Sequence, residues 1–259
     1  MTEALTDLPT EAPLFARYLP GLTRRLVVAF SGVGTPQDPV PAPEFFYSAS
    51  DGGQNHVLFV ADASRSWLTA PGLAERIVDL IRDMAARISA ESILLLGNSM
   101  GAFMALNLGA LMRPDFILGF VPQVSADPAR VPEERRWMRY RSQISDWSAC
   151  PEVPDLRERG IKVVILHGNQ PEEAWHWRRF PAAGGTVFQF IYPRAGHGLA
   201  GILKSRGQLR PMVRAAAAGR LARVRDIARA AGGVPRGWYE THHPVPHSNP
   251  GAAAPVQEA

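Results

Sequence analysis

The fold is decided by residues 92–112, which read SILLLGNSMGAFMALNLGALM. The first six residues form a short continuous apolar run, typical of a strand buried on both faces of a parallel sheet. Residues 100–112 are rich in Ala and Leu and stop before Pro114, as a helix does. Between the two, residues 97–101 (GNSMG) match the pattern G-x-S-x-G. The stretch therefore predicts a strand, a sharp turn that carries Ser99, and a helix.

The same alternation extends over most of the chain. Five further apolar runs predict strands: LVVAF (26–30), HVLFVA (56–61), FILGFV (116–121), KVVIL (162–166) and TVFQFIY (186–192). Residues 72–88 place apolar side chains at steps of three and four, which indicates a helix. Strands that alternate with helices predict an α/β domain with a doubly wound, mostly parallel sheet and helices on both faces.

Composition and proline content divide the chain into three parts. Of the 259 residues, 46% are hydrophobic and 20% are charged, which excludes a chain that is disordered as a whole. Residues 1–25 are predicted to be an N-terminal extension, 26–232 the α/β domain, and 233–259 a disordered Pro-rich tail. Within the domain, residues 123–160 are too long for an ordinary connection and predict a helical, lid-like insertion that covers a site.

No segment predicts export, a membrane span or a metal site. The first residues carry acids before any base, and no window reaches the roughly 20 apolar residues of a membrane span. The single cysteine, Cys150, excludes a disulfide scaffold, and together with the missing export signal it predicts a cytoplasmic location. No cofactor or metal is expected, because no Cys or acid cluster accompanies His242, His243 and His247 near the C-terminus.

The GNSMG turn resembles the nucleophile turn of the α/β-hydrolase superfamily of serine esterases, thioesterases and acyltransferases. The resemblance covers residues 24–231. A serine at such a turn lies on a strained backbone that projects its hydroxyl above the sheet, where Cβ atoms on Gly97 and Gly101 would crowd the neighbouring strand and helix. The resemblance implies Ser99 as nucleophile, the Met100 amide as one oxyanion-hole donor, and a chain order of serine, acid and histidine.

The histidine of that order is implied to be His197, which follows the last predicted strand in YPRAGHGLAG. Gly196 and Gly198 leave room for the ring to approach the serine. The imidazole would take the proton of Ser99 and return it to the leaving group. His167, at the end of the preceding strand, is expected to be structural.

The acid is the least determined member of the site. The family commonly carries Asp three residues after the glycine of an HG pair, and here that position, counted from Gly168, is proline. Glu172 is the first choice, Glu173 the second and Asp127 the third, since Glu can replace Asp in orienting the histidine. At least one of the two glutamates is expected to be only a first-turn acid that complements a helix dipole.

The loop after residues 26–30 is implied to supply the second oxyanion donor, which is the amide of Gly32 or Val33. Arg65 follows the next predicted strand at the same edge of the sheet, where ligands bind. It could meet an anionic group of a substrate. A structural pair of Arg65 with Asp62 is an equal alternative.

The net charge of +4 comes from one segment, because residues 204–236 hold nine basic residues and a single acid, Asp226. Apolar residues recur there at helical steps, with Gly219 between two helices, so the arginines are predicted to form a solvated face. A weak contact with an anionic surface is the alternative. No motif for nucleic-acid binding is present, so no nucleic-acid partner is expected.

These residues together predict a serine hydrolase that cleaves a carboxylic ester or thioester through an acyl-enzyme on Ser99. The substrate would be a small-molecule or glycan ester. An acyltransferase that passes the acyl group to a sugar or alcohol is the close alternative, since exclusion of water decides between the two. A non-catalytic binding or scaffold protein of the same fold is the alternative from another class, supported by the displaced acid.

Overall fold

The computed structural model describes residues 5–243, and the strands in this part of the chain form one sheet. The strands are β1 (Thr6–Asp7), β2 (Leu14–Leu19), β3 (Arg25–Phe30), β4 (His56–Asp62), β5 (Ser92–Asn98), β6 (Phe116–Phe120), β7 (Lys162–Gly168), β8 (Val187–Tyr192) and β9 (Val234–Pro235). Their order in the sheet is β1-β2-β4-β3-β5-β6-β7-β8-β9. Neighbours that are not consecutive in the chain require crossover connections, as in a doubly wound sheet.

The centre of the sheet is parallel and its edges are antiparallel. Strands β3 to β8 pair in parallel, in the register Leu26 with His56 and Leu94 with Phe116, for example. The outer strands β1, β2 and β9 pair antiparallel. All six apolar runs predicted as strands form the parallel part. The prediction of a mostly parallel α/β sheet is therefore confirmed.

Helices cover both faces of the sheet, as predicted. The helices are α1 (Phe46–Ser50), α2 (Leu73–Arg87), α3 (Met100–Met112), α4 (Met138–Arg141), α5 (Pro171–Trp177), α6 (Leu199–Ser205), α7 (Leu209–Ala217), α8 (Leu221–Ala230) and α9 (Arg236–His242). Alternate side chains of β3 enter two separate cores, one built with α2 and α3 and the other with α6, α7 and α8. Most of α3 is buried, which explains why its sequence is apolar on every side.

The predicted boundaries of the domain are wrong at both ends. Residues 6–19 are part of the sheet, because β2 pairs with β4 along its whole length and β1 pairs with β2. β2 reads LFARYL, with buried and exposed residues in alternation, the pattern of an antiparallel strand that is open to solvent on one side. At the other end β9 pairs with β8 and α9 follows, so residues 233–243 are ordered structure. The remainder of the predicted tail, 244–259, lies outside the described residues.

The insertion at residues 123–160 is mostly irregular, so the prediction of a helical segment is wrong apart from the four residues of α4. It is nevertheless anchored. Val131 and Leu156 are buried in the core beside α3. The side chain of Arg141 is buried and donates hydrogen bonds to the carbonyl oxygens of Ala126, at 2.7 Å, and Glu134. Buried backbone carbonyls that accept from a buried guanidinium hold the segment in one conformation.

The basic segment forms the two helices α7 and α8, separated at Gly219 as predicted. Part of its positive charge forms ion pairs within the protein, because Arg210 and Arg214 bind the buried carboxylate of Asp51 at 3.0 and 2.7 Å. A contact between this segment and an anionic surface stays a prediction. Among residues 5–243, no helix combines the length and the apolar character needed to cross a membrane.

Candidate active site

Ser99 lies between β5 and α3 on a backbone that few non-glycine residues adopt, with φ 56° and ψ −123°. The turn requires glycine on either side. A Cβ on Gly97 would lie 2.3 Å from the backbone carbonyl of Gly101, and a Cβ on Gly101 would lie 2.4 Å from the carbonyl oxygen of Phe30. The packed sheet and helix therefore hold the strained serine backbone in place, as expected for a nucleophile turn.

The Ser99 side chain is buried and held by a residue that the sequence did not reveal. Gln123, directly after β6, donates its Nε2–H to the Ser99 Oγ at 3.0 Å. The indole N–H of Trp67 in turn donates to the Gln123 carbonyl oxygen at 3.4 Å. The Met100 amide begins α3, where a backbone N–H has no acceptor within the helix. This amide, next to Ser99, is the one expected as an oxyanion donor.

Of the two amides expected as the second oxyanion donor, Gly32 and Val33, that of Gly32 is already bound to a side chain. The Gly32 N–H donates to the Oε1 of Glu44 at 2.8 Å. Burial raises the pKa of the Glu44 carboxyl to about 7, against the opposing effect of the Gly32 hydrogen bond. A Cβ on Gly32 would lie 3.8 Å from the Ser99 Cβ, so this amide is close to the nucleophile. The Gly32 amide is available to a substrate only when the Glu44 carboxyl moves away from it.

The Arg65 side chain supports the same loop and, in the described part of the chain, forms no ion pair with Asp62, so the pairing alternative is wrong. Its buried guanidinium donates to three backbone carbonyls within residues 33–39, at distances of 2.7 to 3.2 Å. Asp62 instead accepts hydrogen bonds from Ser64 and Ser66. Arg65 is thus committed to the loop that carries the second oxyanion donor.

His197 lies on the loop after β8 and is oriented by Glu173. Its Nδ1 lies 2.9 Å from the Glu173 Oε1, and the Trp137 ring packs 5.1 Å from the imidazole ring. An ionised carboxylate only accepts, so the ring proton is on Nδ1 and Nε2 keeps the lone pair that a general base needs. In the described part of the chain, no hydrogen bond joins His197 to Ser99, whose hydroxyl is held by Gln123 instead.

The structure corrects the preference for Glu172 as the acid. Pro171 is the first residue of α5, so Glu172 and Glu173 lie in its first turn and point in different directions. Glu173 is buried and contacts His197, whereas Glu172 is partly exposed and makes no such contact. The third choice, Asp127, uses its carboxylate within its own loop, where it accepts the backbone N–H of Ala129. Burial opposes ionisation of Glu173, but the hydrogen bonds and charges of His197 and Arg136 outweigh it and lower its pKa.

A buried ionic cluster supports Glu173, and sequence analysis missed all its other members. Arg136 belongs to the insertion, and its Nη1 donates to the Glu173 Oε1 at 2.7 Å. Its Nε donates to the Oε1 and Oε2 of Glu134 at 3.0 and 2.9 Å. Glu134 accepts from the Nε2–H of His176 at 2.9 Å, and the His176 Nδ1 accepts the Val124 N–H at 3.3 Å. No local sequence signal marks these residues, because they lie about forty positions apart in the chain.

His167 is structural, in agreement with the sequence. It is fully buried, its ring packs edge-on against Phe180 at 4.9 Å, and neither ring nitrogen has a hydrogen-bond partner within residues 5–243. Burial lowers the pKa of His167 to about 3, so the ring is neutral at ordinary pH.

A cavity of about 520 Å³ opens beside the loop that follows β3, and apolar side chains such as Phe15, Val40 and Phe59 form much of its wall. Ser31, the neighbour of Gly32, also lines it, whereas Ser99 and His197 do not. Its volume suits an ordinary small-molecule group. Within residues 5–243, no group of His, Cys, Asp or Glu is arranged to hold a metal ion.

Comparison with solved structures identifies proteins of similar fold. No family model matches the chain, and no curated protein matches it. Among solved structures, the capsule O-acetyltransferase of Neisseria meningitidis serogroup A is similar with a TM-score of 0.57 and 14% identity, over 81% of this chain and 94% of that one. An arylesterase is similar with a TM-score of 0.53 and 15% identity, over 88% and 86% of the two chains.

A third similar structure is carboxyl esterase 2 of the fungus Tuber melanosporum, with a TM-score of 0.52 and 13% identity, over 89% of this chain and 85% of that one. The chain therefore has the α/β-hydrolase fold, as the sequence predicted.

Proposed function

We propose that the protein is a serine hydrolase that cleaves a carboxylic ester or thioester through an acyl-enzyme on Ser99. The observation that carries the proposal is the strained turn of Ser99 together with a His197–Glu173 pair at the same edge of the sheet. A serine, a histidine base and a buried carboxylate that orients the base are the groups that acyl transfer through serine needs. The esterase and acyltransferase neighbours agree with this choice.

In the acylation step, the Nε2 of His197 accepts the proton of the Ser99 hydroxyl while Oγ attacks the carbonyl carbon of the substrate. The carbonyl electrons move to the oxygen, and the resulting oxyanion accepts the Met100 N–H. Collapse of this intermediate breaks the bond to the alcohol or thiol, which leaves with the proton from His197. Glu173 keeps the Nδ1 proton in place and stabilises the imidazolium, and it remains ionised throughout.

Two groups of the resting site must reorient before this step. The Ser99 hydroxyl has to turn its proton toward His197, and Gln123 can remain bound because its Nε2–H donates to a lone pair of Oγ. The Glu44 carboxyl has to leave the Gly32 amide if that amide is to join Met100 as a second donor. Apo hydrogen bonds of catalytic groups commonly rearrange in this way when substrate binds.

In the second step, an acceptor hydroxyl loses its proton to His197 and attacks the acyl carbon, which releases Ser99. Water as acceptor gives hydrolysis, and a sugar or alcohol gives acyl transfer. Acyl transfer is the second candidate, and the burial of Ser99, which is 3% exposed and bound by Gln123 of the insertion, favours it by limiting access of water. We propose that the cytoplasm is where either reaction takes place.

A non-catalytic role is the candidate from another class, and two observations support it. The Ser99 hydroxyl is bound by Gln123 rather than by His197, and Glu44 occupies the Gly32 amide. A scaffold protein would keep these contacts permanently. A hydrolase would release the Gly32 amide to the substrate and turn the Ser99 proton toward His197.

Turnover of p-nitrophenyl esters with acyl chains from acetyl to octanoyl, with and without glycerol or a monosaccharide as acceptor, tests these candidates. We expect p-nitrophenolate release that depends on Ser99, with acylated acceptor as an additional product if the protein is a transferase. If the free carboxylic acid is the only acyl product with every acceptor, the protein is a hydrolase. If wild-type protein and Ser99→Ala release p-nitrophenolate equally slowly, the enzyme proposal is wrong.

A further inference from the structure

The side chain of Arg136 lies between two buried carboxylates and links the insertion to the catalytic pair. Its Nε faces Glu134, and its Nη1 faces Glu173 at 2.7 Å. The Glu134 and Glu173 side chains are at most 1% exposed, and Arg136 is 25% exposed. Charges in such a place act on one another through little water, so each has a strong effect on its neighbours.

One oxygen of Glu173 serves both Arg136 and His197. Arg136 Nη1 lies 2.7 Å and His197 Nδ1 2.9 Å from the same Oε1, whereas the buried Oε2 of Glu173 has no partner among the described residues. The guanidinium and the imidazole therefore compete for the charge of a single carboxylate oxygen. The hydrogen bond from Arg136 to this oxygen weakens the hydrogen bond by which the same oxygen would stabilise an imidazolium at His197.

The charges of the cluster do not balance while His197 is neutral. Burial opposes ionisation of Glu134, but His176 and Arg136 overcome it and lower its pKa to about 2, and Glu173 also has a lowered pKa. Burial lowers the pKa of His176, which keeps this ring neutral. Two carboxylates then face one guanidinium, and a proton on His197 removes the excess negative charge.

Resting on the function proposed above, we propose that Arg136 and Glu134 are positioning residues that set, with opposite signs, how readily His197 binds a proton. Arg136 weakens proton binding, because it draws on the shared Glu173 oxygen and adds a positive charge. Glu134 strengthens proton binding, because it holds Arg136 from the other side and offsets its charge. Through this pair, the insertion adjusts the base of the reaction without touching substrate.

The other groups around His197 do not supply the same effect. His176 on α5 and His167 on β7 are neutral, and Arg194 on the loop of His197 is exposed. Glu172 is partly exposed, and its backbone carbonyl rather than its carboxylate faces Arg136. Glu44, across the nucleophile, has a pKa raised to about 7 by burial. Its contribution is common to every variant compared below.

The experiment is an NMR titration of the His197 Cε1–H signal between pH 4 and 9, with the signal assigned by its loss in His197→Gln. Relative to wild type, we expect the titration midpoint to rise by about half a pH unit or more in Arg136→Gln. In Glu134→Gln, which can still accept the His176 N–H, we expect a fall of about 0.3 unit, smaller because Glu134 is farther away. The double variant is expected to fall between the two.

Two controls separate charge from loss of structure. Arg136→Lys keeps the positive charge and is expected to leave the midpoint close to wild type. Glu133→Gln removes the neighbouring exposed carboxylate, which pairs with Arg179 at 2.8 Å, and is expected to shift nothing. Shifts of the same sign in Arg136→Gln and Glu134→Gln, or no shift in either with the fold intact by near-UV circular dichroism, overturn the proposal.

The acid limb of kcat/KM against pH, measured with a p-nitrophenyl ester, should move with the NMR midpoint in each variant. The two readouts distinguish failure of this inference from failure of the proposed function. Opposite NMR shifts without any ester turnover leave the positioning role intact and refute the hydrolase. Turnover that depends on Ser99, together with an unchanged NMR midpoint in both variants, supports the hydrolase and refutes the positioning role.

Discussion

Glu173→Gln is expected to lower kcat for ester hydrolysis by about 10³- to 10⁴-fold, the loss typical when the carboxylate of a serine triad becomes an amide. Glu173 is buried and its Oε1 lies 2.9 Å from the His197 Nδ1. A glutamine there can present its NH₂ to Nδ1, which favours the tautomer with the proton on Nε2. That tautomer cannot accept the proton of Ser99. Initial rates at saturating p-nitrophenyl ester measure the effect.

Glu172→Gln is the matched control, since it makes the same chemical change one residue away in the same helical turn. We expect its kcat to stay within a few-fold of wild type, because the Glu172 carboxylate does not contact His197. The opposite pattern, with Glu172→Gln inactive and Glu173→Gln active, would restore the order of preference that the sequence suggested. Thermal unfolding of both variants shows whether Glu173→Gln also loses its buried pair with Arg136.

Gly101→Ala is expected to destabilise the protein by several kcal/mol, more than the roughly 1–3 kcal/mol typical of overpacking in a core. The added Cβ would meet the carbonyl oxygen of Phe30 at 2.4 Å and its carbon at 2.8 Å. These atoms belong to the backbone of β3, which pairs with β4 and β5 in the centre of the sheet, so they cannot move without breaking the ladder. Chemical denaturation followed by circular dichroism measures the loss.

Gly201→Ala is the control for that prediction. Gly201 is an exposed residue of α6, and a Cβ there would meet nothing within 4 Å. Alanine in a helix is favoured over glycine by about 0.5–1 kcal/mol, so this variant should be slightly more stable than wild type. Equal stability of Gly101→Ala and wild type would show that the turn around Ser99 is looser than its geometry implies.

The centre of the fold was predictable from the sequence because its signals are local. Residues 100–112 were predicted as a helix, and α3 has those bounds, since an apolar run ended by Pro114 leaves little choice. β2 escaped prediction because LFARYL follows a proline-rich segment and does not alternate apolar with polar residues, since Phe15 occupies an exposed position; its pairing with β4 makes it a strand. The same reason applies to β9, whose two residues pair with β8.

The site was predictable in its local parts and not in its long-range parts. Ser99 and His197 follow from short motifs at the ends of strands. The difference between Glu172 and Glu173 is one step of about 100° around α5, and only the packing of that helix decides which carboxylate faces the histidine. Arg136 and Glu44 belong to the site through contacts 37 and 12 residues away in the chain, which no spacing rule encodes.

Intact-mass spectrometry after treatment with a fluorophosphonate measures whether Ser99 is an activated nucleophile. We expect one phosphonyl group per wild-type chain, located on Ser99 by peptide mapping. We expect no adduct in Ser99→Ala and slow labelling in Glu173→Gln, which lacks an oriented base. Wild-type protein that acquires no adduct, or an adduct that persists in Ser99→Ala, would show that Ser99 is not the activated nucleophile.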